Sequence, residues 1–136
     1  MGSRMNKLII FECNKSNIEK CTNAINQSLK NESWIELITR QTRKELILEK
    51  ELPSGPGVIF HSGGSTGKGY QCMHTFRNLN QSALATGQWL QEQGINPKAC
   101  SYLNALPIHH VSGFMPWWRS QCWHSKHTWI DPSLMK

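Results

Sequence analysis

No apolar run in this sequence is long enough to cross a membrane, and no secretion signal opens it. A membrane partner is therefore not expected, and the expected setting is the cytoplasm. No CxxC pair is present, and the five cysteines (Cys13, Cys21, Cys72, Cys100, Cys122) are odd in number and widely spaced. Both facts argue for reduced thiols and against a disulfide framework. Internal repeats and low-complexity tracts are missing as well. Acidic residues nearly disappear after residue 57. Residues 58–136 hold six Lys and Arg but only Glu92 and Asp131, whereas residues 1–57 hold nine basic and seven acidic residues. The net charge of +6 thus reflects a shortage of acids rather than a cluster of bases. That balance suits a small anionic ligand better than a nucleic-acid backbone. A plain solvated basic surface accounts for it equally well.

With 136 residues, 38% of them hydrophobic, the chain can form one domain with a modest core. "MGSRM" has the look of an expression scar, so residues 1–4 are set aside. "KLIIFEC" (7–13) predicts a short strand. Ser16 and Glu19 form a capping-box pattern before a helical stripe of Ile18, Cys21, Ile25 and Leu29. Ser33 and Glu36 repeat the pattern, predicting a second helix with Trp34, Leu37 and Ile38 inward; "ELILEKEL" alternates enough for a strand. "PSGPG" (53–57) punctuates the chain. It is expected to divide an α/β scaffold (5–52) from a ligand-binding segment (53–136).

"VIFHSGGSTGKGYQCMHTF" (58–76) reads as strand, Gly/Ser/Thr loop and second strand, a hairpin. A helix follows, capped by Thr75, with Phe76, Leu79, Ala83 and Leu90 on one face and Gly94 as its stop. "CSYLNALP" reads as a buried strand ended by Pro107. "HHVSGFMPWWRSQCW" turns into a helix with Ser112 as candidate cap. Arg119 then follows two turns on, on nearly the same face and about 10 Å along the axis. A hydroxyl, free helix N–H groups and a guanidinium together make an anion receptor. The competing readings are a surface Arg119 beside tryptophans and a His110 that merely satisfies a loop carbonyl. Trp117 and Trp118 suit core or pocket wall. Cys122, His124 and His127, near His109 and His110, lack the paired spacing of zinc ligands, so no metal site is expected.

The loop fails as a Walker motif. Gly63 and Gly67 are one residue too close, and Lys68 is followed by Gly69. A ligand-free hairpin turn is the plain alternative. "SGGSTGKGY" instead resembles the phosphate loop of the adenylate-forming superfamily, with Gly64, Ser65, Thr66 and Gly67 on its core and Ser62 just upstream. Gly69 and Tyr70 stand where the family has Pro and Lys. Lys68, two residues early, either supplies the charge from a shifted place or leaves phosphate less tightly held. "LPIHHVSGFMPWWRS" resembles a second family motif, with Pro107, Ile108, His109, His110 and Gly113 in its places. It is most similar to the cyanobacterial type of o-succinylbenzoate–CoA ligase. The resemblance covers residues 58–123 well and 5–57 weakly.

That resemblance implies an α/β fold, a partial N-terminal domain of the adenylate-forming ligase with a mixed sheet and flanking helices. It implies a reaction in menaquinone or phylloquinone synthesis that uses ATP, Mg2+ and CoA as substrates of the parent ligase, none of them tightly bound by this piece. Ser62, Gly63, Gly64, Ser65, Thr66, Gly67 and Lys68 would hold the nucleotide phosphates. His110, Ser112, Gly113 and Arg119 would form the acyl-substrate site, with His110 also in the catalytic role. The family's later adenine, ribose and catalytic-lysine motifs are not in these residues. The chain alone is therefore expected to form no thioester, and to self-associate through surfaces that the rest of the ligase would cover. The rival readings are a non-catalytic module for an anionic ligand and a basic nucleic-acid-binding domain.

Overall fold

A computed structural model describes residues 7–42, 52–62 and 70–135. The chain divides into two compact units, Met1–Arg77 and Asn78–Lys136. The "PSGPG" break lies inside the first.

The first unit is built on a four-stranded sheet of order β1-β2-β3-β4. Its strands are β1 (Leu8–Glu12), β2 (Trp34–Ile38), β3 (Gly57–Ser62) and β4 (Tyr70–Thr75). β1, β2 and β3 run parallel, and β4 returns antiparallel to β3, from Gly57 opposite Thr75 to Ser62 opposite Tyr70. The expected hairpin around the Gly/Ser loop is present. Helix α1 (Ile18–Lys30) links β1 to β2 and buries Cys21, Ile25 and Ser28. The Sγ atoms of Cys13 and Cys21 lie 3.4 Å apart as free thiols. The hydrogen bond with Cys13, and then burial, push the Cys21 thiol far above the ordinary range.

Two local expectations are corrected here. Ser16 does not cap α1. Asn17 takes that position, its Oδ1 accepting from Asn14 N–H at 2.9 Å and its Nδ2 donating to the Glu12 carbonyl. The second helix, expected from Ser33, is strand β2, and every one of its five residues is buried. An inner parallel strand is covered on both faces and so reads as a near-continuous apolar run. In "WIELI" that run happens to place apolar residues at i, i+3 and i+4. The possible strand in "ELILEKEL" lies almost wholly outside the described residues.

Trp34 explains the punctuation that follows. Its indole packs with Leu52 and Ile59, and its Nε1 donates to the Pro53 carbonyl at 3.1 Å. The ring lies over Gly57, where a Cβ would collide with it and stand 2.6 Å from the His74 carbonyl.

The second unit contains most of α2 (Phe76–Glu92), β5 (Ser101–Asn104), α3 (Val111–Trp123) and β6 (Lys126–Trp129). Gly94, at φ +82°, ends α2, with the Ile95 N–H on the Leu90 carbonyl and the Gly94 N–H on that of Gln91. The glycine stop works because these two bonds need a left-handed residue. Leu79, Ala83 and Gly87 are buried on α2. Gly87 leaves room for Trp123, whose Nε1 donates to the Ala83 carbonyl at 2.8 Å. Trp118 Nε1 reaches Asn80 Oδ1 at 3.0 Å. β5 and β6 pair in parallel as a two-stranded sheet. β5 was expected to be buried, yet only Asn104 is; Tyr102 and Leu103 are exposed. Its apolar letters have no second layer over them among the described residues.

Candidate functional site

Seven of the residues singled out above lie at the hairpin loop. Ser62 ends β3, its backbone opposite Tyr70. Gly63, Gly64, Ser65, Thr66, Gly67 and Lys68 lie outside the described residues. What the structure does place is the base of that loop. His61, on β3, hydrogen-bonds Glu36 of β2 through Nε2 and Oε2 at 2.5 Å. Their side chains are 12% and 6% exposed, so this is a carboxylate–imidazole pair within the sheet. From the sequence Glu36 reads as a capping-box residue, and His61 carries no assignment; the structure gives both a different place. The available signal was a carboxylate inside the apolar run "WIELI", because a buried charge needs a partner.

His110, Ser112 and Gly113 come together where the chain leaves β5 and enters α3. Pro107 closes a turn, its carbonyl accepting the His110 N–H at 3.2 Å. His110, not Ser112, holds the cap position, extended at φ −105° and ψ 145°. Its carbonyl accepts from the N–H groups of Gly113 (3.0 Å) and Phe114 (2.8 Å). Ser112 is shifted into the first helical turn and is exposed. The shift follows from Gly113, which sits against Leu106 and Pro107 with no space for a side chain. That contact fixes where the helix begins. The first-turn N–H groups of Val111 and Ser112 precede any intrahelical acceptor and are available to an anion.

The side chain of His110 is exposed, and its ring lies 4.3 Å from that of half-buried His109, centroid to centroid. Burial, reinforced by the neighbouring His110, pushes His109 below the ordinary imidazole range.

Arg119 lies seven residues beyond Ser112 on α3. Its Nε is buried and meets no hydrogen-bond acceptor among the described residues. Pro116, inside the helix, has no N–H for the Ser112 carbonyl, yet α3 runs on to Trp123. Phe114, Trp117 and Trp118 are buried and mutually packed, with ring centroids 5.5–5.8 Å apart. Among the described residues no three His, Cys, Asp or Glu side chains gather as a metal site. Cys122 turns to Asn80 and His127 to Asn104.

Asn104 is the second group the sequence reading missed. It is 1% exposed and hydrogen-bonds three separate segments around the turn. A single amide in an apolar strand was the only trace of it.

Comparison with family models gives no match, and comparison with curated proteins gives none. Comparison with solved structures shows the fold: it is that of part of an adenylate-forming ligase. Three of the similar structures are of o-succinylbenzoate CoA synthetase from Bacillus subtilis. The complex with AMP superposes with a TM-score of 0.60 at 16% identity, covering 93% of this chain and 43% of that one. The complex with the acyl-adenylate intermediate OSB-AMP gives 0.52 at 16% identity, with the same coverage. A double mutant bound to the product analogue OSB-NCoA gives 0.52 at 17% identity, covering 93% and 34%. The chain therefore spans less than half the length of the solved chains it matches.

Proposed function

We propose that this chain is the N-terminal part of an AMP-forming acid–thiol ligase whose substrate is o-succinylbenzoate. In that reaction a carboxylate oxygen attacks the α-phosphorus of Mg-ATP and pyrophosphate leaves. The CoA thiol then attacks the acyl carbon and AMP leaves. Residues 62–68 would hold the phosphates through backbone N–H groups and small hydroxyls. His110, at the mouth of α3, would line the reacting carboxylate. The first turn of α3, with Ser112, and the guanidinium of Arg119 would hold the spectator carboxylate. Catalysis of this kind rests on positioning and charge stabilisation rather than on a protein nucleophile.

The observation that carries the reading is the Arg119 Nε, a buried donor without an acceptor among the described residues. Buried donors are normally satisfied, and a planar guanidinium matches a carboxylate two points at a time. Titration of o-succinylbenzoate, and of an analogue lacking the second carboxylate, into wild type and Arg119→Ala tests it. A charge-assisted hydrogen bond contributes about 1.5–3 kcal/mol, so Arg119→Ala should weaken the dicarboxylate by about one to two decades. The monocarboxylate should change little, and Arg119→Lys should recover only part of the loss. Equal losses for both ligands would make Arg119 structural and remove the main support for this substrate.

A second reading, a module that binds the anion without chemistry, would use the same first turn of α3 and the same Arg119 donor. Dicarboxylate binding with no ATP–pyrophosphate exchange would select it.

A further inference from the structure

We infer that Asn104 is the positioning residue of the His110–Gly113 turn, and that it holds the turn only while His127 presents an unprotonated Nε2. The inference rests on the ligase reading for its consequence in binding, but not for its structural content.

The amide orientation is fixed from both sides. Oδ1 accepts the Leu106 N–H at 3.0 Å, and Nδ2 donates to the Gly113 carbonyl at 2.8 Å. Flipping the amide would set oxygen against oxygen and N–H against N–H. The remaining proton of Nδ2 therefore points to His127 Nε2, 3.1 Å away. That nitrogen must be the acceptor, so the ring is neutral with its proton on Nδ1. The Asn104 carbonyl accepts the Ile130 N–H at 2.9 Å, tying the residue to the chain just beyond β6 as well. One buried side chain thus joins the loop after β5, the first turn of α3 and strand β6.

Protonating Nε2 would place two donors face to face in a half-buried site. The amide would lose either His127 or Gly113, and the turn would lose its internal brace. Burial already pushes His127 below the ordinary imidazole range, in agreement with a neutral ring. Tyr102 of β5 lies flat against the imidazole (centroids 6.1 Å, 4° between planes), and Trp129 of β6 meets it edge-on at 4.6 Å. The other ionisable groups on the packed elements are Lys126 on β6, Arg119 and Cys122 on α3, and His109 and His110 in the turn. Burial, rather than any of these charges, is the cause of the shift.

The test is side-chain nitrogen NMR on the full 15N-labelled chain, with His127→Gln assigning the resonance. At neutral pH His127 should show a bare Nε2 and a protonated Nδ1. Asn104→Asp replaces the donor with a carboxylate, so the His127 midpoint should rise by about one pH unit or more. A merely structural amide would not move it that way. In wild type, amide exchange at Leu106, Gly113 and Phe114, corrected for intrinsic chemistry, should quicken about tenfold as His127 gains its proton. His127→Gln keeps an acceptor that does not titrate, and should abolish that pH dependence while preserving protection at neutral pH. A protonated Nε2 at neutral pH would overturn the inference. So would an unmoved midpoint in Asn104→Asp, or unchanged pH dependence in His127→Gln. If Asn104→Asp fails to fold, the tautomer and the His127→Gln comparison still decide. None of these readouts uses ligand. A chain that binds no dicarboxylate would defeat the ligase reading and leave this result standing.

Discussion

Gly113 and Pro107 are packed backbone to backbone. A Cβ on Gly113 would collide with the Pro107 carbonyl and stand 2.8 Å from that of Leu106. Neither neighbour is the movable end of a side chain, so relief requires shifting the turn or the first turn of α3. Gly113→Ala should therefore cost about 3 kcal/mol or more, at the upper end of overpacking effects. Denaturant unfolding checks this, and no loss, or the small gain of an ordinary mid-helix Gly→Ala, would show that the turn can give way.

The Glu36–His61 pair should behave as a buried pair rather than as surface charge. His61→Ala leaves the carboxylate with no imidazole partner inside the sheet and should cost about 3 kcal/mol. Replacing both residues by leucine should cost less than the sum of the two single changes. A double-mutant cycle by denaturant unfolding measures the difference, and simple additivity would mean the two groups do not interact.

Acid should destabilise the second unit through His109 and His127. Burial depresses both, with His110 adding to the effect on His109. The folded state then binds fewer protons than the unfolded one. The stability they contribute is present above the unfolded value of about 6.5. It is lost as pH falls through the lower folded values. Unfolding free energies measured from neutral to mildly acid pH should decline, and His109→Gln and His127→Gln should each flatten the decline. A decline unchanged in both variants would place its origin elsewhere.

Self-association is expected through the apolar residues left uncovered. Leu103 is 67% exposed, Ile10 54% and Tyr102 45%. Ile10 is on β1, an end strand of the four-stranded sheet, and Leu103 on β5 of the two-stranded one. Light scattering at rising concentration should report oligomers, reduced in Leu103→Lys and Ile10→Lys. A wild-type chain that stays monomeric at high concentration would contradict the expectation.

Where one physical rule governs a short stretch, the sequence was sufficient. The β3–β4 hairpin follows from strand, Gly/Ser loop and strand. Helix α2 follows from its apolar spacing, and its end from Gly94, because only a residue tolerant of positive φ makes that stop cheaply. The "HHVSG" spacing likewise announced a helix start and put Arg119 two turns beyond Ser112.

Tertiary structure decided the rest, because those outcomes depend on neighbours distant in the chain. "WIELI" became a strand because β1 and β3 cover both its edges, and five apolar-rich letters cannot distinguish that from a helical stripe. Ser112 yielded the cap to His110 because Gly113 is pressed onto Pro107, a backbone contact that carries no side-chain signature. Glu36 met His61 across 25 residues, and Asn104 met His127 across 23. Hydrogen bonds between strands are set by register, and register appears only when the strands are paired.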